Sequence, residues 1–273
     1  MRDWNSPAEI ERDEVYLTTI LYVCGGCAIW EYITQLPFEW DVVRRVRRYR
    51  WTIWVYSSCR ISMVLGFILL IGAANGWSSQ RCTASYVAAQ ALSYASLGLA
   101  SLLIVLRIVA VWERHMAIVI VSYAIWLIGV VLNVRDLSLL RASFSAIPRT
   151  CEPYNTSRFL PNSIGIIGSD VSLLALVLVG ILRKREAPKF GVVRLLYHQG
   201  VVWLAAAVIV ETPVLIFCIL NLNAPLTLLF QPVELVTLGI CAGRMYRGLM
   251  SYTPDHGSND IPLRDVTPVR PWS

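Results

Sequence analysis

The chain has 273 residues, 56% of them hydrophobic and only 15% charged, with a mean hydropathy of +0.57. Soluble domains are usually about a quarter charged, and no polar stretch is long enough to fold as a separate globule. The net charge of +6 therefore reads as topology rather than as a nucleic-acid footprint, because in a membrane protein basic residues gather in the inner loops.

Apolar runs of roughly 18 to 25 residues recur along the chain, the length that crosses a hydrocarbon core of about 30 Å. They are continuous rather than alternating, which favours helices over barrel strands. The predicted fold is all-α, a seven-transmembrane-helix bundle over residues 15–246. An outer N-terminal segment (1–14) precedes it and a disordered cytoplasmic tail (247–273) follows. The spans are placed near Val15–Thr34, Thr52–Ala74, Ala84–Val111, Met116–Val134, Ser163–Leu182, Gln199–Leu222 and Leu226–Tyr246. The acidic start MRDWNSPAEIERDE has no basic n-region, so the first span reads as a retained signal anchor. The third span is rich in Ala, Ser and Gly, which let helices approach closely, and is placed centrally.

Orientation follows from the loops. Fifteen basic residues fall on the side of the first loop, the loop after span five and the tail, against seven on the other. That puts the N-terminus outside and the C-terminus in the cytoplasm. Trp40, Trp51, Trp54, Trp77 and Trp112 lie near the expected interfaces, where indole rings are favoured. The protein is expected to be an integral, multi-pass component of the plasma membrane or another secretory-pathway membrane, with lipid as its first partner.

Cys24, Cys27, Cys59, Cys218 and Cys241 fall within spans and read as small packing residues. Cys82 and Cys151 fall on the outer, oxidising side, where a disulfide between them is expected. It would tie the loop between spans four and five onto span three. Asn155, followed by Thr156 and Ser157 in that loop, is an N-glycosylation acceptor.

Apart from Arg244 at the very end of span seven, six charged residues lie inside predicted spans: Glu31, Arg60, Arg107, Asp170, Glu211 and Glu234. Glu31 and Arg107 sit near the inner edge, where long side chains snorkel. The other four are deeper, at a cost of about 2.5–3.5 kcal/mol each near a helix centre. Convergence of Arg60 on one or more of the three carboxylates is the cheaper arrangement. In span seven Thr227, Gln231, Glu234, Thr237 and Cys241 recur at three and four, and in span six Trp203, Ala207 and Glu211 share a face. Pro213 and Pro232 stand beside the two glutamates and free backbone carbonyls at mid-depth. Arg60, Asp170, Glu211, Glu234, Gln231 and Trp203 are thus the candidates for a ligand or proton site, since intramembrane ionisable groups are functional more often than not. The bland alternative is a structural lock between helices.

Three stretches carry a resemblance: IWEYITQLPFEWDVVRRVRRYRWTIWVYSSCR (Ile29 to Arg60), ASLLIVLRIVAVW (Ala100 to Trp112) and the segment from Phe190 to Leu249. Together they resemble a set of basidiomycete fungal seven-span membrane proteins with an N-terminal domain of unknown function. The matching positions are Trp30, Glu31, Glu39, Trp40, Tyr49, Arg50, Trp51 and Arg60 in the first, and Glu211, Pro213, Asn221, Asn223, Arg244 and Tyr246 in the third. The resemblance implies a fungal source and seven spans, and no reaction.

The leading expectation for function is a receptor-like sensor of a small apolar or amphipathic ligand with a cytoplasmic signalling partner. An outer N-terminus, a disulfide at span three and a proline in span six resemble the G-protein-coupled receptor plan. Span three ends in LRIVAVWERH rather than the usual Asp-Arg-Tyr, and span seven has no Asn-Pro-x-x-Tyr. The alternative is a membrane-embedded enzyme, such as a small seven-span terpene-cyclase-like protein, using Glu211 and Glu234 as acids. A transporter is disfavoured by the lack of internal repeat symmetry. No Gly-rich phosphate loop, metal-ligand cluster or nucleophile triad is present, so no cofactor and no metal is expected.

Overall fold

The computed structural model describes residues 6–44, 51–75, 82–112, 115–140, 142–144, 151–153, 160–184, 191–220 and 222–251; the side chains of 191–204 and of both short strands are not among those described. The described chain is helical apart from one two-stranded hairpin. The elements are α1 (Pro7–Val43), α2 (Thr52–Ala74), α3 (Cys82–Val111), α4 (Met116–Leu139), β1 (Ala142–Phe144), β2 (Cys151–Pro153), α5 (Leu160–Lys184), α6 (Gly191–Leu220), α7 (Ala224–Leu228) and α8 (Gln231–Ser251). Six helical stretches are long and apolar enough to cross a membrane, and Ala205–Leu220 within α6 is a shorter apolar stretch. In hydrocarbon only a closed set of backbone bonds is tolerated, and a helix closes them within one segment.

Two helices depart from the expected spans. α1 starts at Pro7, a residue suited to a first helical turn because its missing N–H has no intrahelical partner to lose, and it runs past Thr34 to Val43. At 1.5 Å per residue it is about 55 Å long, so its ends extend beyond a bilayer core of about 30 Å. The expected seventh span is broken into α7 and α8, with residues 229–230 forming a turn between them. Pro232 explains the break: it has no N–H for the carbonyl of Leu228. Asn223 caps α7 by accepting a bond from the Leu226 amide at 2.8 Å.

The basal end of the bundle is the one where α1 stops and α2 starts, and the apical end is the one bearing the hairpin. α3 packs against α2, α4, α5 and α8, the central place its small residues predict. Its closest partner is α2. A Cβ on Gly66 would lie 3.1 Å from Ser93 Oγ and 3.4 Å from the Ser93 amide nitrogen. One turn on, the Ser96 hydroxyl donates to the Cys59 carbonyl at 3.1 Å, and the Cys59 thiol donates back to the Ser96 carbonyl at 3.4 Å. Without a hydrophobic drive between helices in lipid, such close contact and small polar bonds hold the pair.

Apolar clusters fill the interior around this pair. Ile104, Val105 and Ile108 of α3 meet Leu173, Leu174 and Val177 of α5, Ala207 of α6 and Leu238 of α8. Leu21, Cys24 and Ala28 of α1 meet Met63 and Phe67 of α2 and Leu235 and Val236 of α8. Polar ties hold the apical ends: Asn223 Nδ2 donates to Asp13 at 2.8 Å, the Tyr94 hydroxyl donates to Asp136, and Asn162 Nδ2 donates to Asn133 Oδ1 at 3.3 Å. Cys82 at the head of α3 is disulfide-bonded, whereas Cys24, Cys27, Cys59, Cys218 and Cys241 are free thiols.

Gly66→Leu forces a side chain into the α2–α3 contact and should lower stability by about 1–3 kcal/mol. Gly26→Leu meets no atom within 4 Å of its Cβ and should cause no loss. Thermal unfolding of the two variants in detergent checks the contrast; equal losses would contradict the packing.

Candidate functional site

On α6 the buried residues are Ala207, Glu211, Val214 and Cys218, spaced at three and four, while Ile209, Ile216 and Ile219 face outward. That stripe carries Glu211 into the bundle, where it is 1% exposed. No hydrogen bond of ordinary geometry reaches its carboxylate oxygens among the described residues, but the Asp170 carboxyl lies near enough for the two acids to share a proton. The helix runs through Pro213 without interruption, and the Thr212 hydroxyl donates to the Val208 carbonyl at 2.6 Å beside it.

Two more acids share the interior. Asp170 of α5 is 4% exposed and accepts a hydrogen bond from the Ser101 hydroxyl of α3 at 2.8 Å. Glu234, in the first turn of α8, is 7% exposed. Asp170 and Glu234 lie close enough to Glu211 to act on it electrostatically. Among the described residues none of the three belongs to an ion pair.

Arg60 does not join them, contrary to the convergence expected from sequence. Its guanidinium pairs with Glu39 of α1 and donates to the carbonyls of Glu31 at 3.1 Å and Tyr32 at 2.7 Å. It also lies over the rings of Tyr32 and Tyr56, 4.9 and 5.3 Å from their centroids. The reason is the length of α1: residues 35–43 continue the helix instead of opening a loop, and deliver Glu39 to Arg60. Glu31 does not snorkel either. It is buried and accepts from Arg247 at 2.9 Å and Arg244 at 3.3 Å, both from α8. Arg107 is likewise buried, at 4% exposure. The basal end is thus an ionic clamp of α1, α2 and α8, closed by a stack of Tyr56 on Tyr246 with centroids 5.1 Å apart.

Apical to the clamp, a partly open cavity of about 140 Å³ lies between the helices. Its lining draws on every helix of the bundle except α4, and includes Glu234 and Gln231 of α8, Tyr86 and Gln90 of α3, and Asn162 and Ser163 of α5. Leu17, Leu21, Leu70, Leu97, Leu228 and Leu235 supply much of its apolar wall. The break before α8 places Gln231, Pro232 and Glu234 together on that wall. A second cavity of about 20 Å³ lies beside Asp170, Ser101 and Asn133, enough room for one water.

Neither a protein-family model nor a curated protein sequence matches the chain. The site therefore stands on its own geometry.

Of the residues expected at the site, Asp170, Glu211, Glu234 and Gln231 come together from three helices, while Arg60 belongs to the basal clamp. The side chain of Trp203 and the whole of Asn155 lie outside the described residues. Cys151 is paired with Phe144 in the hairpin, with its side chain also undescribed. Among the described residues no three His, Cys, Asp or Glu side chains are placed to share a metal ion. Sequence reasoning misses Glu39 and Asp136 as buried partners because both lie just past a predicted span end. A helical extension of those spans would have brought Glu39 level with the basal end of α2.

Removing one partner of a buried ion pair leaves a charge uncompensated, at a cost of about 3–5 kcal/mol. Arg60→Met should therefore lower the unfolding temperature sharply, and Arg60→Met with Glu39→Met should recover most of the loss. A double mutant as unstable as the single would show that Glu39 is not the partner.

Proposed function

We propose that this chain is a seven-span membrane protein acting as a receptor-like sensor, with its ligand in the cavity beside Glu234. The observation that carries the reading is the cavity itself: it is lined by seven of the eight helices and combines a mostly apolar wall with buried polar groups. Ligand pockets have that composition. A molecule seated there touches α1, α2, α3, α5, α6, α7 and α8 at once, so it stabilises one packing of the bundle over another, which is all a sensor requires. The ionic clamp of α1, α2 and α8 lies at the opposite end, where a change in packing would meet a cytoplasmic partner.

The basic loops support a cytoplasmic basal end and an outer apical end, with Cys82 bonded to Cys151 across the hairpin and Asn155 glycosylated. β1 and β2 pack against α3, and Cys151 is the one cysteine left over when the five free thiols and Cys82 are set aside. An enzyme would need its acid against the substrate. The cavity lining includes Glu234 but neither Glu211 nor Asp170, which favours binding over chemistry.

Benzene is a suitable neutral probe, because an apolar cavity of about 150 Å³ accepts it. Purified protein in nanodiscs should bind benzene, and Ser163→Phe, which fills the cavity, should not. Hydrogen exchange should slow at residues 228–231 on binding and change at the basal ends of α1, α2 and α8. Binding without any basal change would contradict a sensor, and no binding would contradict the site. For the orientation, glycosylation mapping should find Asn155 modified; a cytoplasmic Asn155 would reverse the topology.

A further inference from the structure

Resting on the cavity as a ligand site, we propose that its ligand is a small organic cation, a protonated amine with a compact apolar body, held by the Glu234 carboxylate. Charge is the first ground. The lining contains two carboxylates, Glu14 and Glu234, and no Lys, Arg or His. Glu234 is 7% exposed and lies in no ion pair among the described residues. Its one neighbouring class of charge is its own sign, from Asp170. The arginine best placed by sequence to neutralise it is held at the basal end by Glu39. A buried acid without a counter-ion holds a proton while the site is empty; an amine seated beside it takes that proton and, as the ammonium, donates a charge-assisted hydrogen bond to the carboxylate.

The wall sets the rest of the ligand. An inorganic cation such as calcium takes 6–8 oxygens at once, and no cluster of acids among the described residues is arranged to supply them. The lining is instead dominated by Leu, Ile, Val and Ala, with Gln231, Gln90 and Asn162 beside the acid. That is an environment for a hydrocarbon body with one charged end. A volume of about 140 Å³ limits the body to a ring or short branched chain, comparable to benzene. Glu14, half-buried on α1, places the second carboxylate at the apical part of the wall, where an approaching cation is attracted first.

Cyclopentylammonium and cyclopentanol have the same shape and differ in charge. In wild-type protein held in nanodiscs, ligand-observed NMR should show the ammonium binding tighter than the alcohol by about tenfold or more, the worth of a hydrogen bond to a charged group. Glu234→Gln keeps the shape of the wall and should abolish that preference while leaving the alcohol bound. Equal affinities in the wild type, or a preference that survives Glu234→Gln, would overturn the cation while leaving the sensor site standing. Failure of both probes to bind would overturn the cation and the site together. The wild-type comparison stands even if the variant does not fold.

Discussion

The pairing of Arg60 with Glu39 decides how charge is arranged in this bundle. A guanidinium inside an apolar assembly needs a partner, and the partner it finds is on α1, at the basal end. Glu31 adds Arg244 and Arg247 from α8 to the same region. The consequence is a division of the interior. Cations and two acids satisfy each other at one end, and in the other part Asp170, Glu211 and Glu234 have no ion pair among the described residues. An arrangement in which Arg60 reached Glu234 would have been a lock, with nothing left for a ligand to neutralise.

The helix break before α8 works with that division. Pro232 interrupts the hydrogen-bond ladder, and in a membrane helix such a break is tolerated where the backbone lines a cavity inside protein. Discontinuous helices recur at intramembrane binding sites for this reason. Here the break puts Gln231 and Glu234 on one wall while α7, tied through Asn223 to Asp13 of α1, closes the apical side. The packed α2–α3 pair gives this region a firm floor: Ser93 touches both the Gly66 contact and the cavity lining.

Much of this was legible in the sequence, and the limits are physical. Unbroken apolar runs locate helices because hydrocarbon admits no other local structure, and the small residues of the third run locate the centre of the bundle. The spacing of Ala207 and Glu211 shows which way Glu211 faces, and Thr227, Gln231 and Glu234 form the stripe that the cavity uses. What failed was anything past the apolar runs. The segment QLPFEWDVV has polar residues and a proline, so it reads as loop, yet it continues α1 and carries Glu39. Asp136 is lost for the same reason at the end of α4. Helix ends past the apolar runs are set by partners across the bundle, such as Arg60 and Tyr94, and those are invisible to local pattern. The cavity depends on how side-chain volumes fit together, which no single stretch encodes.

The central claim is that Glu234 faces an internal space that a ligand fills rather than another side chain of the protein. A cryo-electron-microscopy map of protein extracted from its own membrane in a lipid-preserving polymer tests it most directly. Density not belonging to the chain should lie within hydrogen-bonding distance of the Glu234 carboxylate, with Arg60 on Glu39. A closed interior, with Arg60 turned to Glu234 or leucines packed over it, would contradict the claim.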